Sequence, residues 1–245
     1  MRQFADLCLR PDSMDKPRIE RIICKASELG FSLVGISLPA KAERDKVCFF
    51  RRVCRDYRAD LVTRIDLTPS SSSELLRTLS QSRRKFELVA VKCFSKEVAR
   101  QAAKDRRVDL LVFPSRNWRD RFFDVAEARL ASGGVAALEL PMSLVWGCEG
   151  SAWVRLLSCL REEVEVAKRF GVPLVICSGG SDVLELRGPH ELASLATLVG
   201  MASEEALDAV SEVPYNIVKR NREKLDENYV VEGVHVIKRG RDCEG

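Results

Sequence analysis

Histidine is almost missing from this chain: His190 and His235 are the only two among 245 residues. A hydrolytic metal centre needs several His, Asp or Glu side chains converging on one point. Here His190 stands at a predicted helix start and His235 near the end, so neither has a partner at ligand-like spacing. Cysteine is present nine times, but no two sit as Cys-x-x-Cys. An odd number without metal spacing argues for reduced thiols, and apolar contexts such as Val175-Ile176-Cys177 make most of them small buried hydrophobes. No apolar run approaches the roughly 20 residues that a membrane-spanning helix requires. The opening Met1-Arg2-Gln3-Phe4-Ala5-Asp6 lacks the long apolar stretch of a signal peptide, which places the protein in the cytoplasm. There is no Gly-x-Ser-x-Gly elbow, no Rossmann fingerprint and no P-loop. Cys8 and Cys177 fall near predicted strand ends, but no histidine base accompanies them. These absences remove a nucleophilic hydrolase, a dinucleotide enzyme and a P-loop nucleotidase from consideration.

What is present is an ordinary globular composition, 46% hydrophobic and 31% charged, in which short β-type runs alternate with helical patterns. The strand-like runs are 4–9, 33–37, 60–67, 86–91, 110–113, 135–140 and 174–177. Each is nearly continuous in apolar residues, as expected where both faces of a parallel sheet are covered. Ile19, Ile22, Ile23, Ala26 and Leu29 have helical spacing after Asp15 as N-cap and Pro17 in the first turn, and Gly30 ends that helix. Ser71 and Glu74 have capping-box spacing. A long amphipathic helix covers about 151–170, and the text beyond Pro189 is helical over 191–201, 204–212 and 217–225. No linker divides the chain. The expected fold is therefore α/β, a TIM-like (β/α) barrel of seven to eight parallel strands with extra C-terminal helices, occupying residues 1–227, with 228–245 as a tail. An open doubly wound sheet is the rival architecture. Val183-Leu184-Glu185-Leu186 is the one candidate for an eighth strand, and it also reads as a loop.

Barrel chemistry gathers at the C-terminal ends of the strands. Those ends carry Arg10, Asp12, Ser37, Asp66, Lys92, Ser115, Glu139 and Ser178. Asp6, Asp66 and Glu139 offer a water-mediated Mg²⁺ site, or else they are carboxylates held in ion pairs. Ser178-Gly179-Gly180-Ser181 after the seventh strand is either a phosphate-binding loop served by Arg187 or a tight turn. Charge is uneven. Residues 83–121 hold twelve Lys/Arg against five Asp/Glu, an excess of +7, which leaves −3 for the remainder of a chain whose net charge is +4. Within that stretch Arg116, Trp118, Arg119, Arg121, Phe122 and Phe123 combine cations with aromatics, a pattern that grips RNA by charge and stacking. Trp118 stacks on a base or caps the barrel, whereas Phe122 and Phe123 pack. Lys219-Arg220-Asn221-Arg222 forms a second basic knot.

Several segments resemble one family. Phe86-Glu87-Leu88-Val89-Ala90-Val91, Val108 to Pro114, Ala137-Leu138-Glu139-Leu140, Leu174 to Gly179, Leu186-Arg187-Gly188-Pro189-His190-Glu191-Leu192, Leu198-Val199-Gly200-Met201 and Pro214-Tyr215-Asn216-Ile217-Val218 with Asn221-Arg222 are similar, in order and spacing, to ribonuclease P protein component 3 of archaea. The resemblance spans about residues 4–225. It implies a barrel related to the polymerase-and-histidinol-phosphatase metalloenzymes and a subunit that assists a catalytic RNA in removing the 5′ leader of precursor tRNA. Implied partners are ribonuclease P RNA, precursor tRNA, protein component 2 and other protein subunits, with no membrane. The implied division of labour leaves no catalytic residue, metal or cofactor on this chain, Mg²⁺ acting on the RNA. Lys92, Arg116, Arg119, Arg121, Arg187, Lys219, Arg220 and Arg222 are the RNA-contact candidates. The alternatives are a stand-alone metal-dependent phosphoesterase of the same barrel class and a pure protein-binding scaffold.

Overall fold

A computed structural model describes residues 2–146, 148–226, 228–231 and 234–235. Seven parallel strands run in sequence order around the molecule: β1 (Phe4–Leu9), β2 (Phe31–Ser37), β3 (Asp60–Leu67), β4 (Leu88–Lys92), β5 (Leu110–Val112), β6 (Ala137–Pro141) and β7 (Leu174–Cys177). Helices return the chain outside them: α1 (Lys16–Glu28), α2 (Arg44–Asp56), α3 (Ser72–Ser82), α4 (Lys96–Lys104), α5 (Val125–Ser132) and α6 (Gly150–Phe170). Three more, α7 (Pro189–Leu198), α8 (Ser203–Ala209) and α9 (Glu212–Leu225), follow β7, and a short antiparallel pair, β8 (Tyr229–Val231) with β9 (Val234–His235), comes last. The sequential order of seven strands is that of a nearly closed barrel and excludes the doubly wound sheet, whose order must reverse at a switch point. The eighth-strand candidate is instead a turn of 3-10 helix over Val183–Glu185. Tail residues 236–245, Cys243 among them, lie outside the described residues.

Local chemistry accounts for the helix ends. Ser71 accepts the Glu74 amide, while the Glu74 carboxylate reaches back to the Ser70 amide at 2.8 Å, one residue earlier than a standard capping box. Asp15 takes the N-cap position of α1 without a side-chain bond, Pro17 occupying the first turn. Gly30, at φ +100°, lets the chain leave α1. Outside the sheet, apolar stripes such as Ile19, Ile22, Ile23 and Ala26 of α1 pack on the strands as part of one continuous buried cluster.

The interior of the barrel is a second cluster and is layered. Its lower part is apolar: Ala5, Leu7, Leu33, Val62, Leu88, Ala90, Leu110, Val112, Ala137 and Val175. Alternation then brings Arg64, Asp66, Lys92, Glu139 and Cys177 into the upper part, because successive inward positions on a strand are two residues apart. β1 is irregular, its register against β2 shifting between Asp6 and Leu9. Gly35 of β2 accommodates that backbone, since a Cβ there would fall 2.4 Å from the Leu7 carbonyl oxygen.

Among the described residues no ladder joins β1 to β7. Exposed ladder groups at such a seam must find other partners. Lower down, the Ala5 amide donates to the Val210 carbonyl at 2.9 Å. Higher up, the Asp6 carboxylate accepts from the Ser178 amide at 3.2 Å, and the Arg10 amide donates to Gly180 O at 2.9 Å. The chain after α8 thus fills part of the place of an eighth strand. α9 then lies across the N-terminal end of the barrel, inserting Ile217 and Val218 into the interior cluster while Asn221 donates to Glu87 O at 2.9 Å.

Candidate nucleic-acid interface at the barrel mouth

The C-terminal mouth of the barrel is built around Arg64, a residue with no exposed surface although its side chain is among the largest in the chain. Its guanidinium faces both oxygens of Glu139, at 2.5 and 2.6 Å, and also donates to Asp66 at 2.7 Å and to Leu7 O at 2.9 Å. This is the planar bidentate fork that arginine forms with carboxylate. Asp66 is shared further with Arg10, at 3.1 Å, and with Lys92, at 3.7 Å. Burial alone would raise the Asp66 carboxyl, but Arg64, Arg10 and Lys92 outweigh it and hold it well below the usual carboxylate range. Asp6 behaves oppositely. It is wholly buried and accepts backbone N–H bonds from Cys8 and Ser178, yet desolvation dominates and raises its carboxyl.

Asp66 and Glu139 were two of the three ligands for a Mg²⁺ site, and this arrangement does not fit one. A hard cation needs several free carboxylate or carbonyl oxygens. Both Glu139 oxygens are taken by Arg64, and Asp66 is surrounded by three cationic side chains. The fixed guanidinium holds the centre where a metal would compete for the same carboxylates. Cys8, Glu139 and Cys177 do approach within 4.8 Å of one another, all buried. Burial pushes the Cys177 thiol up, away from the thiolate a metal would bind, and Glu139 is the carboxylate already forked by Arg64.

The predicted RNA-contact residues divide into four groups. Arg116 and Arg119 are exposed on the loop after β5. Arg116 reaches the Ser143 carbonyl at 3.0 Å, and Arg119 lies over the Trp118 ring at 5.1 Å. Lys92 sits part-buried at the mouth, its ammonium drawn towards Asp66. Arg121 corrects the expectation made of it. Its guanidinium is buried, bonded to Glu163 at 2.5 and 2.9 Å and to the carbonyls of Phe113 and Ser115 at 2.6 and 3.0 Å. It ties the loop down from inside and presents no surface to a phosphate. Arg187 is half-buried at the surface, donating to Leu184 O and Leu186 O at 2.8 Å each and lying 4.9 Å from the Trp146 ring. Its guanidinium is thus engaged with its own loop and the Trp146 ring, and no bond joins it to the Ser178–Ser181 loop among the described residues.

The last group lies at the other end of the barrel. Arg220 bonds Asp109 at 3.1 Å, and Arg222 pairs with Asp60 and Glu87, holding α9 on the strand starts. Those two arginines are structural ties, and Lys219 is exposed beside them, remote from the mouth. Trp118 is 37% exposed and lies between Arg119 and Arg155, so it does not cap the barrel. Phe122 and Phe123 pack edge-on against Phe113, as expected.

Sequence reasoning missed two features. Arg64 was hidden inside the run Leu61-Val62-Thr63-Arg64-Ile65-Asp66, although its even spacing with Val62 and Asp66 is the signal of an inward charge. Phe94, directly after β4, is 63% exposed and lines a groove of about 600 Å³ with Phe122, Ser95, Ser115 and Asp120. A further apolar surface gathers around Trp146, Leu195, Leu184 and Leu198, the last two 82% and 52% exposed. Among the described residues no helix is long and apolar enough to cross a membrane.

Known proteins supply the wider context. The model of the RNase P subunit p30 family matches residues 3–226. Ribonuclease P protein component 3 of Methanosarcina mazei is 30% identical over 236 residues, covering 96% of each chain. Its counterpart in Methanococcoides burtonii is 29% identical over 96% of this chain and 94% of its own. Among solved structures, a chain of archaeal ribonuclease P with mature tRNA superposes with a TM-score of 0.84 at 22% identity, over 96% of this chain and 98% of that one. A putative prolidase from Bifidobacterium longum shares the fold more distantly, with a TM-score of 0.55 at 11% identity over 90% and 70% of the two chains.

Proposed function

This chain belongs to the RNase P subunit p30 family, and from that premise we propose that it supports RNA folding and subunit assembly and leaves the chemistry to the RNA. It is a protein subunit of ribonuclease P, an endoribonuclease holoenzyme, and not a stand-alone phosphoesterase. In this reading residues 1–227 act as one barrel unit with 228–245 appended, in the cytoplasm. The partners are ribonuclease P RNA, precursor tRNA, component 2 and other protein subunits, with Mg²⁺ serving the RNA.

The observation that carries the proposal is the state of the mouth. Its centre is an arginine locked to both oxygens of Glu139, while Arg116 and Arg119 stand exposed at its rim. Such cations offset phosphate repulsion and release counterions as RNA compacts. The apolar surface around Trp146, Leu184 and Leu198, on the loops after β6 and β7 and on α7, supports a protein-partner face, since clustered exposed apolar residues mark interaction sites.

The test is reconstitution of this protein with ribonuclease P RNA, with and without component 2. Arg116→Glu/Arg119→Glu should lower precursor cleavage at limiting Mg²⁺ and should flatten the salt dependence of protein–RNA binding by roughly one to two units of slope. Cleavage and slope equal to wild type, from a folded double variant, would refute the assignment.

A further inference from the structure

We propose that the groove beside Phe94 receives one unpaired nucleobase, stacked on the Phe94 ring, so that this face takes single-stranded RNA. The inference rests on the RNA-binding reading above and adds to it the strandedness of the partner.

Phe94 sits where β4 passes into α4. An aromatic ring 63% open to solvent at such a turn is not explained by packing, because Phe113, Phe122 and Phe123 satisfy one another edge-on nearby, at 5.1 and 5.7 Å. The turn is held from both sides. The Cys93 amide donates to Val112 O at 2.8 Å, and the Ser95 hydroxyl caps α4 by accepting from the Val98 amide at 3.3 Å. The facing wall is the loop after β5, fixed from within by the Arg121 bonds to Phe113 O and Ser115 O. The groove is therefore preformed between two anchored segments, and an occupant would spend little on ordering it.

Its chemistry selects the occupant. The ring supplies a flat apolar face. The Asp120 carboxylate, held by Asn117 Nδ2 at 2.9 Å and by the Ser115 hydroxyl at 3.4 Å through one oxygen, keeps its second oxygen as an acceptor for an amino group on the edge of a heterocycle. Lys96, 57% exposed and 3.8 Å from Asp124, lines the groove, and the exposed Arg116, bonded to Ser143 O, stands on the facing segment. A nucleotide brings an aromatic face, a donor-bearing edge and a phosphate together. An aliphatic side chain would use the ring alone. A base paired and stacked within a duplex cannot turn its face to Phe94, so the occupant is unpaired.

The experiment measures fluorescence anisotropy of the full chain with a labelled oligoadenylate of about ten nucleotides and with an RNA duplex of matching length. Phe94→Ala should weaken oligoadenylate binding roughly tenfold, within the range found for single base–aromatic stacks. Duplex binding and the salt slope should stay unchanged, because no charge is removed, and Phe94→Trp should restore single-strand affinity. An unchanged thermal melt for Phe94→Ala confirms that the fold is intact. If Phe94→Ala binds oligoadenylate as wild type does while Arg116→Glu binds it less tightly, stacking is wrong and RNA binding stands. Wild-type protein that binds only the duplex would overturn the inference as well. If it binds neither RNA at low salt, the RNA-binding reading itself falls.

Discussion

Replacing Arg64 by methionine keeps much of the side-chain volume and removes the charge. The structure indicates what is lost. Both Glu139 oxygens lose their donors at 2.5 and 2.6 Å, in a site with no exposed surface. The Leu7 carbonyl loses a donor at 2.9 Å. Asp66 loses one partner of three and keeps Arg10 and Lys92. Glu139 then keeps only the Arg10 guanidinium at 3.9 Å, beyond hydrogen-bond reach; removing one member of a buried ion pair costs about 3–5 kcal/mol, because the other is left desolvated without its hydrogen-bonded cation. For a chain of this size each kcal/mol moves the midpoint by about 2–4 °C, so Arg64→Met should melt roughly 6–20 °C below wild type. The discriminating measurement is a double-mutant cycle with Glu139→Gln, followed by circular dichroism. Adding Glu139→Gln to Arg64→Met removes the orphaned charge, so the double variant should recover about half of the loss. The orphaned Leu7 carbonyl accounts for the part that stays lost, at about 1–3 kcal/mol. The coupling energy should exceed about 2 kcal/mol, well beyond the roughly 0.5 kcal/mol within which independent sites add. Additive losses, or an Arg64→Met protein as stable as wild type, would refute the view that this pair is the keystone of the mouth.

Arg121→Leu should cost about 3 kcal/mol, since it leaves Glu163 buried without its partner, and should raise amide exchange across residues 115–121. A melt equal to wild type would mean that Arg121 does not anchor the loop. Asp6→Asn should melt above wild type at neutral pH. The folded carboxyl is raised above its ordinary 3.8, so its contribution is fully present only below that value and is lost as pH rises through the folded pKa. Asparagine keeps an acceptor for the Cys8 and Ser178 amides without the charge. The gap between variant and wild type should close at around pH 4, where the native carboxyl is protonated. Asp66 has the opposite sign, its stabilisation being lost as pH falls, but it is common to both proteins and cancels in the difference. A gap that widens on acidification would reverse the assignment.

The strands were legible because parallel barrel strands are covered on both faces and read as apolar runs of four to eight residues. The eighth strand was left open, Val183 to Leu186 reading as a strand or a loop, and only the structure shows the 3-10 turn there. α2, α4 and α5 were not assigned. In α2 only Phe50, Val53 and Cys54 are buried among many charges, so the apolar stripe is too narrow to stand out. The site was less legible than the fold. A sequence shows that Arg121 and Arg187 carry charge, but not that Arg121 finds Glu163, 42 residues away, or that Arg187 lies over Trp146. Local density of arginine therefore overstated the surface available to phosphate. Arg116 and Arg119 differ in remaining exposed, Arg116 on the Ser143 carbonyl and Arg119 over Trp118.

Arg64 shows how two buried carboxylates can be held at the mouth of such a barrel. Two carboxylates at the mouth of a dry interior cannot remain ionised without a cation between them. An exchangeable metal is one solution, and it brings reactivity with it. A guanidinium carried by β3 is another. It holds Glu139 through a planar fork, leaves no open coordination position and cannot polarise a water as a divalent ion does. With Arg10 and Lys92 the mouth holds three cations around the carboxylates Asp66 and Glu139, while the wholly buried Asp6 lies close to Glu139. A mouth filled in this way presents cationic side chains, Arg10 and Lys92, around a locked centre. The adjoining loop adds the exposed cations Arg116 and Arg119, and two exposed aromatic rings, Trp118 and Phe94, flank it.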